Sequence, residues 1–189
     1  MKKFDGSGLR LFGISAEPGN GKTTAIMELA KTLKERGVDF TGVAQPAVVE
    51  SRGSRQIVWG YRLLDLVTGE SRPFARRIET DDGVGKGFRL DEGGIEWAAV
   101  RISRPAKILL ADEMGWVEAE GRGHLPAVMK ALGSGNISAA VLTFRPALRS
   151  AFARMLEPMC NGSLTLWSPA PGMNPEERWS RILLQNHEG

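Results

Sequence analysis

The sequence predicts an α/β fold in three layers, with a mostly parallel central sheet and helices on both faces. Three observations carry that expectation. Short apolar runs alternate with segments whose apolar residues recur at helical spacing. A glycine-rich stretch joins the first such run to the first such segment. One region rich in arginine and glycine, residues 45–91, breaks the alternation and reads as an antiparallel hairpin beside the main sheet. The 189 residues suffice for a buried core without disulfides or structural metal, and no linker sets off a second domain. Residues 1–189 are therefore expected to form one domain carrying the hairpin insertion.

Taken in order, residues 9–15 form a short apolar strand that runs into residues 16–21. A helix is expected over residues 22–36, where Ile26, Leu29, Ala30 and Leu33 follow the i, i+3, i+4, i+7 pattern and Gly37 is placed to end it. Residues 40–44 are the next strand. Inside the insertion, residues 61–66 and 74–78 flank a turn at Thr68 and Gly69, and Gly83, Gly85 and Gly87 lead into a short strand at 88–90. Asp91 can cap a helix with Ile95, Ala98, Ala99 and Ile102 on one face, stopped by Pro105. Residues 107–111 form a buried strand. A loop over 114–123 then leads to a helix with Pro126 in its first turn and Gly133 at its end. Residues 137–143 form a further buried strand, Pro146 starts another helix, and 164–167 form another strand. A last helix opens at Asn174, Pro175, Glu176 and Glu177. Strands alternating with helices imply parallel pairing through right-handed crossovers.

Composition excludes several classes. No apolar run approaches the roughly 18 residues of a membrane span. The basic start of the chain has no long apolar core behind it, so it does not read as a signal peptide. The 25 lysines and arginines are scattered among 22 acidic residues without a basic block, which speaks against a nucleic-acid partner. The one cysteine, Cys160, suits the reducing cytoplasm and reads as a small buried hydrophobe. One cysteine and two histidines make a zinc or iron site a poor expectation.

Residues 16–23, Ala16-Glu17-Pro18-Gly19-Asn20-Gly21-Lys22-Thr23, match the Walker A pattern with alanine in its first position. Gly19 and Gly21 let the backbone turn so that successive N–H groups face phosphate oxygens, and the following helix adds its positive end. Lys22 supplies a mobile charge for the β- and γ-phosphates, Thr23 a hydroxyl for Mg2+, and Thr24 a hydroxyl that can reach the α-phosphate. The alternative is a glycine-rich turn of accidental likeness, and the flanking strand and helix argue against it.

Residues 108–113, an apolar strand ending in Asp112 and Glu113, match the Walker B pattern. Asp112 is expected on magnesium and Glu113 on the water that attacks the γ-phosphate. The competing reading makes Glu113 a surface charge. Thr143, ending the next strand, is balanced between a γ-phosphate contact and a turn hydrogen bond. Arg122, Arg145 and Arg149 are each candidates for stabilising transferred charge, but a solvated surface role is the expectation for each singly. His124 reads as a helix cap or surface residue.

With these residues in hand, the chain resembles the small P-loop nucleoside-triphosphatase family often called cancer-related nucleoside-triphosphatases. The likeness runs through residues 17–24, 34–38 and 60–70, then Val84 to Phe88, and Asp112-Glu113-Met114-Gly115 with Glu118. It implies a RecA-like sheet with a hairpin insertion and slow magnesium-dependent hydrolysis of ATP, GTP and other triphosphates. Two other readings stay open on the residues alone. One is a small-molecule kinase using residues 72–77 as an arginine-rich lid; the other is a nucleotide-gated regulatory module.

Overall fold

A computed structural model describes residues 8–80, 83–160 and 164–167. Its strands are β1 (Arg10–Ser15), β2 (Phe40–Ala44), β3 (Ala47–Arg52), β4 (Arg55–Asp65), β5 (Ser71–Thr80), β6 (Gly83–Leu90), β7 (Ile108–Met114), β8 (Ala139–Phe144) and β9 (Leu164–Trp167). Its helices are α1 (Lys22–Glu35), α2 (Glu92–Ile102), α3 (Trp116–Ala119), α4 (Leu125–Leu132) and α5 (Arg149–Leu156). The strands make one sheet in the order β6-β5-β4-β2-β7-β8-β1-β9, with β3 paired to β4. The β2-β7-β8-β1-β9 portion is parallel and the remainder antiparallel. The α/β expectation therefore holds.

The period of two sorts the core. Ile108 and Leu110 of β7, with Ala139 and Val141 of β8, join Ile26, Leu29 and Leu33 of α1 in one buried cluster. The intervening Leu109, Ala111, Ala140 and Leu142 join Ala98, Ile102, Val128 and Phe152 in the other. Both faces of each central strand are thus covered, which is why these strands read as continuous apolar runs. Gly42 lets β2 lie flush on β7, since a Cβ there would stand 1.9 Å from the Leu110 carbonyl oxygen.

Several elements depart from the expectations. The insertion is four strands rather than one hairpin, because β3 pairs along the outer half of β4 and β6 extends back to Gly83. Its arginines on β5 sit in a strand paired on both edges, so they form sheet and not a lid. The loop after β7 contains the short helix α3, and β7 itself runs three residues past Ala111. Pro146 opens a 3-10 turn, Pro146–Leu148, and α5 follows it. Asp91 does cap α2, its side chain accepting from the Gly94 N–H at 3.3 Å. The helix expected at Asn174 lies outside the described residues. Among the described residues, no helix is long and apolar enough to cross a membrane.

Candidate active site

The parallel strands end at one edge of the sheet, and the chemistry-bearing residues collect there. β8 lies between β1 and β7, so the register sets Ile14 against Thr143 and Ala111 against Leu142. β2 flanks β7 on its other side, with Val43 against Ala111. β1, β2, β7 and β8 each contribute residues at or just past this end.

Between β1 and α1 the chain turns sharply. Gly19 has φ 82° and Gly21 has φ 79°, the left-handed region that glycine enters without steric cost. A Cβ on either would meet nothing within 4 Å, so the loop needs their backbone freedom, not their small size. The Asn20 N–H donates to the Glu17 carbonyl at 3.2 Å. Lys22 is buried, and its Nζ donates to the carbonyls of Ala16 (2.8 Å) and Glu17 (3.2 Å), so the loop curls around the ammonium group. Gly21 provides no side-chain cap for α1, which leaves the first-turn amides available to an anion. Glu17, Pro18, Gly19, Asn20, Gly21 and Thr24 are exposed along this loop and helix start, and Thr23 is half-buried.

Asp112 is fully buried and accepts three hydrogen bonds. Thr23 Oγ1 donates to its Oδ2 at 2.8 Å, the Gln45 N–H to the same oxygen at 3.0 Å, and Thr143 Oγ1 to its Oδ1. Burial pushes the Asp112 carboxyl above the ordinary range despite these donors, with the Glu113 charge adding to the rise. The half-buried Thr23 hydroxyl and the buried Asp112 carboxylate, hard oxygens next to the glycine loop, fit Mg2+, which takes one or two protein oxygens and fills its shell with phosphates and water. The described residues contain no cluster of three or more His, Cys, Asp or Glu that could hold a metal ion.

Glu113 follows Asp112 at the same sheet edge, with its side chain 18% exposed. Its Oε1 accepts from Arg145 Nε at 2.9 Å and lies 4.0 Å from Lys22 Nζ. Glu113 is therefore not a solvated surface charge, and neither is Arg145. The expectation of a surface role holds for the other two arginines: Arg122 pairs with exposed Glu120, and Arg149 is exposed on α5.

The sequence did not single out Gln45 for this neighbourhood, named Glu118 only within the family likeness, and weighed Arg145 as a charge stabiliser but expected it at the surface. Gln45 gives its backbone N–H to Asp112 and its side-chain amide to the Glu113 carbonyl at 3.3 Å. Its position immediately after a buried strand was the available signal. Arg145 offered the same signal after β8. Glu118 is buried behind the carboxylates and accepts from the N–H groups of Gly115 (3.0 Å) and His124 (3.3 Å), tying β7 to the start of α4. His124 is correctly a cap-position residue, but it is 1% exposed and not on the surface. Its Nδ1 is 3.2 Å from Glu118 Oε1 without the alignment of a hydrogen bond. Cys160 is buried as expected, its thiol donating to the Leu156 and Glu157 carbonyls.

A family model described as NTPase matches residues 11–165. The chain belongs to this NTPase family. Among curated members, the nucleoside-triphosphatase THEP1 of Thermofilum pendens is 35% identical over 129 residues, covering 65% of this chain and 68% of its own. THEP1 of Methanopyrus kandleri is 31% identical, with 62% and 64% covered, and that of Caldivirga maquilingensis 29%, with 61% and 64% covered. The matches thus span about two thirds of the length of these relatives. Two solved structures share the fold. The crystal structure of THEP1 from Aquifex aeolicus superposes with a TM-score of 0.62 at 17% identity, covering 96% of this chain and 99% of that one. The solution structure of a human cancer-related nucleoside triphosphatase gives 0.64 at 21%, covering 95% and 98%. Membership in the NTPase family supports nucleoside-triphosphate hydrolysis as the activity class and a P-loop as the nucleotide-binding element.

Proposed function

We propose that the protein is a magnesium-dependent nucleoside-triphosphatase of the cytoplasm, converting NTP and water to NDP and phosphate with its own Lys22, Thr23, Asp112 and Glu113. The observation that carries this reading is the convergence of loop, hydroxyl and carboxylates at one sheet edge, linked by Thr23 to Asp112 and by Lys22 to Glu113.

The loop amides around Asn20 and the first turn of α1 bind the polyphosphate, and Lys22 exchanges the Ala16 and Glu17 carbonyls for phosphate oxygens. Thr23 and Asp112 would hold Mg2+. When bound, the ion supplies positive charge to the β- and γ-oxygens. Thr143 and the Gln45 N–H fix the orientation of the Asp112 carboxylate from its two sides. Glu113 accepts the proton of the attacking water. Of the readings open at the level of sequence, the kinase loses its lid, since those arginines lie in a doubly paired strand.

A phosphate-release panel across ATP, GTP, CTP and UTP, with and without Mg2+, tests the proposal beside calorimetric binding. Release is expected without any acceptor, and only with the metal. Lys22→Ala loses binding and turnover together. Glu113→Gln keeps binding and loses on the order of 10²-fold or more in turnover. Release that begins only when a metabolite acceptor is added would reject hydrolysis, and a Glu113→Gln variant as fast as the parent would reject the base.

A further inference from the structure

We propose that Arg145 is a catalytic residue of this hydrolysis, the chain's own cation for charge developing on the transferred γ-phosphoryl group, and that its bond to Glu113 restrains the base until phosphate competes it away. The proposal rests on the hydrolase reading and names a further residue for it.

The position comes from the sheet. Arg145 follows Phe144, the last residue of β8, and β8 is the strand between the phosphate-loop strand β1 and the carboxylate strand β7. The backbone there is tied to the loop itself, since the Ala16 N–H donates to the Phe144 carbonyl at 3.4 Å. Just beyond, the Leu148 N–H donates to the Arg145 carbonyl at 2.9 Å, anchoring the residue from its other side. Of Arg122, Arg145, Arg149 and Arg154, the described arginines after β7, Arg145 alone pairs with a carboxylate of β7.

Its bonding leaves capacity to spare. Arg145 uses Nε on Glu113 Oε1 and, among the described residues, hydrogen-bonds nothing through its two terminal nitrogens. A guanidinium carries five donors, and its fork geometry matches phosphate oxygens in pairs. The side chain is 34% exposed, so it has room to move. The same Glu113 oxygen is also 4.0 Å from Lys22 Nζ. Two cations thus face the one carboxylate oxygen that the attacking water must also approach. A triphosphate brings more negative charge than a carboxylate and draws both cations toward itself. Glu113 is then relieved of both at the moment a substrate is bound.

In the step itself, the water oxygen forms a bond to the γ-phosphorus while the bond from that phosphorus to the β,γ-bridging oxygen breaks. The electron pair of the broken bond stays on the departing NDP, and the water proton passes to a Glu113 carboxylate oxygen and then to solvent. Arg145 faces the negative charge that gathers on the γ- and bridging oxygens, a role that Glu113-clamping alone would not include.

The test compares parent, Arg145→Ala, Arg145→Gln and Arg145→Lys, each first checked for folding by thermal melting. Measured on each are turnover, NDP affinity, the tightening of Mg–NDP binding by aluminium fluoride as a mimic of the transferred phosphoryl group, and rescue of the Ala variant by guanidinium. The expected result is a turnover loss on the order of 10²-fold or more in Ala and Gln. NDP affinity stays within roughly threefold, the aluminium fluoride effect disappears, guanidinium restores part of the rate, and Lys is intermediate. Should Ala misfold, Gln and Lys carry the comparison. Turnover unchanged or raised in Arg145→Ala would overturn the proposal, since removal of a mere clamp frees the base. So would a rate loss with the aluminium fluoride effect intact. A parent that itself neither binds nor hydrolyses triphosphates would instead sink the hydrolase reading.

Discussion

His124 is a neutral ring held in a dry place behind the site. Burial lowers its pKa from the ordinary 6.5, and the carboxylates of Glu118 and Asp112 pull the other way without overcoming it. The unfolded chain then binds the proton first as pH falls, so the contribution of His124 to stability is intact above about 6.5 and declines below it, toward the lower folded value. Melting curves from pH 8 to pH 5 should show the parent losing midpoint on the acid side and His124→Gln losing less. A parent and variant with parallel profiles would mean that the ring does not titrate between the two states. The partners of Gln45 and Arg145 were illegible for one reason. Each of the two residues follows a predictable element, but its partner lies on a strand whose neighbour in the sheet no local pattern specifies. Arg145 and Glu113 are 32 residues apart, and Gln45 and Asp112 are 67 apart.

The elements nearest the site were legible because their signals are local. α1 was bounded to within one residue by its apolar spacing, and the start of α2 by its Asp91 cap. β3 was missed because residues 47–51, Val48 and Val49 among them, are exposed and produce no apolar period. α3 was missed because four residues are too few for one. A buried carboxylate adds to the β2–β4 pairing and the shared core in joining the antiparallel strands to the rest. Asp65 accepts from the N–H groups of Val67 (2.9 Å) and Thr68 (3.3 Å) and from Arg104 (2.8 Å), with Arg101 at 3.6 Å. It thereby joins the β4–β5 turn to the end of α2. Burial alone would raise its pKa, but these donors outweigh it and hold the carboxyl below 3.8. Asp65→Ala removes the acceptor and strands the arginines, and should cost roughly 3 kcal/mol in urea unfolding. A loss below about 0.5 kcal/mol, the level of an ordinary surface change, would refute the clamp.

At the scale of the molecule, the two core clusters sandwich the parallel strands, and the site sits where those strands end. Loop and carboxylates come from elements far apart in sequence, so nucleotide binds only the folded arrangement. Mg2+ with a slowly hydrolysed triphosphate at a hundred times its Kd should add about 2.7 kcal/mol to unfolding stability and raise the melting midpoint. The gain should vanish with a chelator or in Lys22→Ala. A midpoint that does not move with ligand, in a parent shown by calorimetry to bind it, would place the loop outside the cooperative unit.

The α/β class, the glycine turn and its lysine, and the two carboxylates at a strand end were determined by the sequence itself, because periodicity, positive φ and capping are properties of neighbouring residues. Which strands lie side by side was decided only in three dimensions. Inserting β8 between β1 and β7 brings Thr143 onto Asp112 and Arg145 onto Glu113, contacts that depend on how two helical layers cover one sheet. Packing of buried faces sets that order, and strands this uniformly apolar carry no mark of their partners.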